Sequence, residues 1–478
     1  MMKNIKIVPY CLVLVLMAFS NVDVYGQKAW TLRECIDYAL ENNITVKQNE
    51  INSELNEIIT LQNKMSLLPN LNASVGRNYN FGRTIDPFTN QFTTQQVESD
   101  NWSLSSNVTL FNGFSLQNTL KQSQLNYLAG KSDLQKVKND ISLNVITSYL
   151  QVLYAKEQLN VADGRVLQAT QQRDRVNRMV ESGLMVRGNL LDATSQLSNE
   201  ELSKITAENQ LMTAKLTLTQ LLQLPTPDGF DVEDPAVQVP TSSITELQPA
   251  QIYDLGLKSL PEIKAADTRV QSAEKGVSIA KASYYPRLTA FGQLSSFYSS
   301  SSKKFVGGDF NGFLPNGSIT SSGDTVLSPD YTTRIEDNPY KDQLDENYNK
   351  AFGLSLSIPI FNGLSSQSNV KRAKLNLENS KYAAQQTRNQ VYQSIQQAHS
   401  DAIAAKKRYD ATNKSLSAFE EAYQYSEKRF NAGLINSLEF LTANNNLTRT
   451  KVELLQAKYD YIFRLKVLDF YAGNPLTF

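Results

Sequence analysis

The sequence predicts a mainly α-helical fold with a membrane β-barrel contribution. It is built from duplicated strand-strand-long-helix-turn-long-helix units, with four strands per chain. Three observations lead there: the chain repeats itself, its 15 prolines leave two long gaps, and the segments ahead of those gaps alternate apolar and polar residues.

Residues 1–26 read as a signal peptide. Lys3 and Lys6 form a basic start, Ile7 to Phe19 is an apolar run broken only by Pro9, and Val24-Tyr25-Gly26 offers a cleavage point that leaves Gln27 first. The run is too short to span a bilayer. Cys11 lies inside it, so of two cysteines only Cys35 remains, and an intramolecular disulfide is excluded. A lone thiol on a helix reads as packing. Lys+Arg 47 balance Asp+Glu 47, and there is one His. The balance argues against an electrostatic nucleic-acid binder, and the residue types leave little for a metal site, so neither metal nor cofactor is expected. No later segment holds about 20 consecutive apolar residues, so membrane contact requires a closed β-barrel.

Phe111-Asn112-Gly113 recurs as Phe361-Asn362-Gly363, an offset of 250 residues (361 − 111). The same offset joins Gly183-Leu184 to Gly433-Leu434, Ala193 to Ala443 and Pro225 to Pro475. Nearer the start, Pro69-x-Leu71-x-Ala73 resembles Pro286-x-Leu288-x-Ala290 at an offset of 217 (286 − 69). The second copy therefore carries 33 extra residues (250 − 217) before Phe361.

The first copy opens with a helix within 27–68, started by the capping-box pattern Thr31-x-x-Glu34. Two strands follow in 69–111. Leu71, Ala73, Val75, Tyr79 and Phe81 alternate with polar or small residues, as do Trp102, Leu104, Val108 and Leu110. A period of two, apolar on one face, fits a strand between lipid and a wet lumen or a strand of a soluble sandwich. Residues 112–224 contain no proline and read as two long helices; five prolines between Pro225 and Pro249 mark a linker over 225–250. The second copy repeats the order: helix 251–285, strands within 286–361 and helices within 362–478. Its strands enclose a long loop, 299–347, rich in Ser, Gly and Asn, with eight acids against four bases. Such a loop suits an extracellular mouth.

The long helices carry a second period. Val391, Ile395, Ala398, Ala402, Ala405, Tyr409, Thr412, Leu416, Phe419, Tyr423, Ser426 and Phe430 follow at steps of four and three, and the same numbers less 250 run from Ile141 to Val180. This is coiled-coil spacing, suited to a seam inside one chain, between chains, or both. A helix from Phe114 to Ser182 runs roughly 100 Å at 1.5 Å per residue.

Catalytic motifs are lacking. Gly183-x-x-x-x-Gly188 has phosphate-loop spacing, but Asn189 and Leu190 stand where Lys and Ser/Thr are needed. His399, beside the heptad stripe, has no evident partner, so it reads as packing or surface and no enzyme is expected.

Four strands cannot close a membrane barrel, which needs about eight, and an open edge in lipid leaves backbone groups unpaired. Several chains must share one barrel, and three supply twelve strands. Together, the duplicated layout, the two Phe-Asn-Gly joints and the turns Arg178–Leu184 and Arg429–Ser437 resemble the TolC family of outer-membrane efflux ducts across the whole mature chain. The resemblance implies a homotrimer in the outer membrane of a Gram-negative bacterium, with a twelve-stranded barrel continuous with a periplasmic α-helical coiled-coil tunnel. It implies passive conduction in a tripartite efflux or type I secretion system, with a periplasmic adaptor and an inner-membrane transporter as partners. The turns become the tunnel tips, and Gly183, Leu184, Gly433, Leu434 and Ser437 the adaptor-docking residues. Family members often carry acids six and nine residues after the second-copy glycine. Here Glu439 fills the first position and Thr442 the second; in the first copy Asn189 and Asp192 stand there. A pore constriction of Glu439 and Asp192 is the resulting expectation. The competing reading is a soluble periplasmic coiled-coil scaffold.

Overall fold

The computed structural model describes residues 29–85, 90–94, 96–225, 229–233 and 243–474. The signal-peptide segment 1–26, parts of the linker 225–250 and the terminal Phe478 lie outside these. The elements are α1 (Leu32–Asn42), α2 (Ile44–Met65), β1 (Asn72–Asn80), β2 (Thr84–Ile85), β3 (Phe92–Thr93), β4 (Val97–Phe111), α3 (Ser115–Glu181), α4 (Arg187–Leu221), a 3₁₀ turn (Ser243–Glu246), α5 (Pro249–Ser259), α6 (Pro261–Ala282), β5 (Arg287–Ser299), β6 (Lys303–Ile319), β7 (Thr325–Asp337), α7 (Tyr340–Glu346), β8 (Asn349–Ser357), α8 (Ser365–Asn431) and α9 (Ser437–Tyr471). They form two compact units, one of Met1–Leu55, Leu128–Thr268 and Lys381–Phe478, the other of Asn56–Tyr127 and Arg269–Ser380.

The duplication holds at the level of element ends. Adding 250 to both ends of α3 and α4 gives both ends of α8 and α9; adding 217 to α1 and α2 gives α5 and α6. The single opening helix expected in each copy is two helices. In the first copy Asn43 leaves the helical conformation, with φ −65° and ψ 126°, and its side-chain oxygen accepts from the Thr45 amide at 2.9 Å, capping the next helix. In the second, Leu260 takes φ −72° and ψ 120° because Pro261 follows it.

In the unit holding the strands, one antiparallel sheet has the order β1-β4-β5-β8. Register puts Ala73 opposite Leu104, Leu104 opposite Leu294, Val75 opposite Trp102 and Ala290 opposite Leu354, so one face is apolar. The other pairs Ser74 with Ser103 and Thr289 with Ser355. β1 and β8 are open edges. The apolar face is uncovered: Val75, Trp102, Phe352, Leu354 and Leu356 are all exposed.

The loop expected over 299–347 is ordered. β6 and β7 form a hairpin with register shifts between Phe305 and Gly307 and between Phe310 and Gly312. Those bulges keep Phe305, Phe310 and Phe313 opposite Ile335, Tyr331 and Pro329 despite their uneven spacing. Gln343 of α7, 1% exposed, holds the hairpin's base: its Oε1 accepts from the Ser299 amide at 2.9 Å and its Nε2 donates to Ser299 O and Asn338 O at 3.1 and 2.7 Å.

The other unit contains two related cores. One gathers Cys35, Ala39, Val145, Tyr149, Val152, Leu218, Leu455 and Ile462; the other gathers Ile252, Ile263, Ile395, Ala402, Leu465 and Leu468. Every member of both heptad stripes is buried or half-buried within the one chain. The stripe is therefore an intrachain seam. Burial pushes the Cys35 thiol up to about 12, with Glu34 adding to it. We expect no maleimide labelling of Cys35 in the native protein at pH 8 and full labelling in urea; rapid native labelling would mean that this core opens.

Candidate functional site

Each Phe-Asn-Gly joint turns a strand into a long helix. Gly113 and Gly363 sit at φ +64° and +60°, and the following Phe114 and Leu364 at +62° and +63°. The left-handed pair reverses the chain; glycine takes the first position without the strain that Phe114 and Leu364 carry at the second. The Asn112 carbonyl accepts from the Ser115 amide at 3.2 Å, and its Oδ1 from the Leu116 amide at 3.4 Å; Asn362 does the same for Ser365 and Ser366, at 3.1 and 3.5 Å. Asparagine thus caps both helices.

At the far ends of α3 and α8 the tips have one construction. The Gly183 amide donates to Val180 O (3.0 Å) and the Leu184 amide to Met179 O (2.8 Å). Gly433 donates to Phe430 O (3.0 Å) and Leu434 to Arg429 O (2.9 Å). With φ +73° and +71° at the glycines, both are Schellman closures. Such closures usually tuck the next residue back onto the helix, yet Leu184 is 75% and Leu434 71% exposed. Val186 and Leu438 are also exposed. Each tip thus presents apolar side chains to solvent.

The second helices start differently. Ser437 opens α9 behind Asn436, whose side chain accepts from the Glu439 amide at 2.9 Å; Val186 gives α4 no side-chain cap. Glu439 lies in the first turn of α9, where a carboxylate suits the helix dipole, and Arg429 Nη1 is 3.5 Å from it, both half-exposed. Asp192 is exposed on α4. Arg175 and Phe440, which the sequence did not single out, join the tips: Arg175 Nη1 donates to Asn431 Oδ1 at 2.8 Å, and Phe430 stacks on Phe440 with centroids 4.8 Å apart.

Two grooves flank these tips. One, of about 400 Å³, has a wall of Ala169, Gln172, Val176, Ala193 and Gln196, faced by Tyr423, Glu427, Phe440, Leu441 and Asn444. The other, of about 450 Å³, is walled by Phe419, Ala422, Ser426, Ala443 and Asn446, with Glu439 and Thr442. These five are the first wall moved by 250 residues, but no first-copy residue of the chain lines the groove opposite them.

The same asymmetry runs along the helices. On α4, Leu191, Leu202, Ile205, Met212 and Leu216 fall on one heptad stripe and are 40–63% exposed. Their equivalents on α9, Leu441, Val452, Leu455, Ile462 and Lys466, are all buried or half-buried. Contacts with α3 cover that α9 stripe: Tyr154 lies 6.4 Å from Tyr459, and Arg165 Nη2 donates to Thr448 O at 3.2 Å. The matching face of α8, Ala404, Arg408, Ala411, Ser415, Ala418, Ala422 and Tyr425, is exposed throughout. The α4 stripe and the α8 face are thus both left uncovered within the chain.

An open four-stranded sheet with an exposed apolar face, combined with paired helices of 67 and 35 residues, is the protomer of an outer-membrane channel. The chain belongs to the outer membrane efflux protein family, whose pattern it matches over residues 35–223 and 252–474. It is 22% identical over 361 residues to toxin and drug export protein A of Aggregatibacter actinomycetemcomitans, covering 75% of this chain and 69% of that protein. It is also 22% identical over 339 residues to outer membrane protein TolC of Escherichia coli K12, covering 70% and 62%. Among solved structures, VceC from Vibrio cholerae superposes with a TM-score of 0.73 at 14% identity, covering 93% of this chain and 97% of that one. CusC gives 0.72 at 17%, covering 95% and 96%. The chain is a TolC-family channel of efflux or secretion systems and resides in the outer membrane. The family is one of channels, not enzymes, and the soluble-scaffold reading is not favoured.

Proposed function

We propose that three copies of this chain close one twelve-stranded barrel and one helical tunnel, through which substrates delivered by an inner-membrane transporter and a periplasmic adaptor leave the cell. The observation that carries this is the pair of unjoined halves: α4's apolar stripe and α8's small-residue face, together with the open edges of β1 and β8. Repeating the intrachain α3–α9 contact between copies sets α8 of one against α4 of the next, and Leu190 and Leu191 then face the Phe419–Ala443 groove. Two copies would give eight strands, whose interior side chains fill; twelve leave a wet lumen. The polar sheet face with Ser74, Ser103 and Ser355 lines that lumen, and the apolar face meets lipid.

The exposed Leu184 and Leu434 beside Gly183, Gly433 and Ser437 form the adaptor-docking tips. Glu439 and Asp192, three of each per assembly, narrow the pore and attract cations. Single-channel recording in planar bilayers tests the function. The wild type should conduct with cation preference, and Glu439→Ala with Asp192→Ala should raise conductance and weaken divalent-cation block. Unchanged conductance and block in the double variant would remove these acids from the pore.

The β6–β7 hairpin faces the exterior. Protease added to intact cells should cut within 303–337; full protection of a surface-assembled channel would contradict this placement.

A further inference from the structure

We propose that the wall of the barrel lumen carries a docking site for an oxyanion, the carboxylate, sulfate or phosphate group of an exported substrate, built on Arg287. The proposal rests on the orientation given above, with the polar face of the sheet toward the lumen and the hairpin end outside. Arg287 opens β5, at the end away from the hairpin, and the ladder sets it opposite Ser357. The next β5 residue on that face, Thr289, pairs with Thr109 on one side and Ser355 on the other. Arg287 therefore belongs to the polar face. Its side chain is exposed and lies along that face, with Nη2 donating to Thr109 Oγ1 at 3.3 Å.

This arginine has no counter-charge. By register, every other residue on the polar face of β1, β4, β5 and β8 is uncharged. The two acids of this sheet, Glu98 and Asp100, fall on the apolar face with Tyr79 and Arg77. Asp100 stands opposite Tyr298, eleven residues along β5 from Arg287 (298 − 287). At 3.4 Å per residue that is roughly 35 Å, several Debye lengths at physiological salt. Among the described residues no carboxylate pairs with Arg287. The adjoining copy supplies none from its edge strand if β8 meets β1, because β1 reads NASVGRNYN. The chain leading into and out of this end adds bases only: stretches 101–127, 275–298 and 349–377 hold one, three and four Lys or Arg and no acid. Those bases raise the local concentration of anions. A guanidinium flanked by the hydroxyls of Thr109, Thr289, Ser355 and Ser357 offers a forked N–H donor and further O–H donors, the set that holds an oxyanion.

Phosphorus NMR of inorganic pyrophosphate, titrated at low ionic strength against the assembled channel in a non-ionic detergent, tests this. The wild type should broaden the signal saturably, with up to one pyrophosphate bound per chain. Arg287→Ser should weaken binding roughly tenfold, and Arg287→Lys, which keeps the charge without the fork, about threefold. Lys281→Ser, which removes a base of α6 from the same acid-free stretch, should change it less than about twofold. Oligomer mass and conductance of the same samples report on the channel separately. An assembled wild type that binds no pyrophosphate saturably, equal affinity in Arg287→Ser, or an equal loss in Lys281→Ser would overturn the proposal and leave the channel reading standing.

Discussion

Leu202→Glu combined with Met212→Glu is expected to abolish the oligomer while leaving the single chain folded. Both side chains lie on α4, are 63% and 61% exposed in one chain, and belong to the stripe whose α9 counterpart is covered. In the assembly each becomes a seam residue against α8. A carboxylate there loses water without gaining a partner, because Ala404, Ala411, Ser415 and Ala418 offer no positive charge; Arg408 alone could answer one of the two. The penalty is about 3 kcal/mol or more per site, repeated at every interface. Leu202→Ala with Met212→Ala removes packing alone and should lower the dissociation temperature without preventing assembly. Gln210→Glu, on the face of α4 away from the stripe, should assemble normally. Size-exclusion chromatography of detergent-extracted protein reads all three, and an intact oligomer in the double-Glu variant would place the interface elsewhere.

The second large effect is an inequality between equivalent glycines. Gly113 and Gly363 hold the same left-handed conformation, but their surroundings differ. A Cβ at Gly113 would stand 2.9 Å from Ala282 O and from Tyr285 Cβ; one at Gly363 would meet nothing within 4 Å. Gly363→Ala then costs only the left-handed strain of an L-residue, about 1–2 kcal/mol. Gly113→Ala adds overpacking against the end of α6, about 1–3 kcal/mol more. The thermal midpoint should therefore fall clearly further for Gly113→Ala, and Gly113→Val should not accumulate in the outer membrane. Equal losses at the two sites would mean that the α6 contact is unimportant to the joint.

The helix ends, joints and tips were legible in the sequence because duplication writes each twice: any residue needed for a turn, such as Gly183, reappears at Gly433. What escaped was the break inside each opening helix and whatever one copy has alone. The break at Asn43 is silent because asparagine is tolerated in mid-helix; at its counterpart Pro261 carries the signal, which the single helix read over 251–285 passed over. The α4 stripe is masked by Ser195, Ser198 and Asn209, which interrupt its apolar period. The β6–β7 hairpin looked irregular because its bulges break strand alternation. The Arg175–Asn431 tie could not be inferred from the repeat, since Tyr425 and Glu181 occupy the equivalent positions.

The central claim is that one chain is an incomplete wall, made whole by two further copies. Native mass measurement of the detergent-extracted protein tests it most directly. Three copies, and no stable species of one or two, is the expected result. A monodisperse monomer or dimer that conducts in bilayers would contradict it.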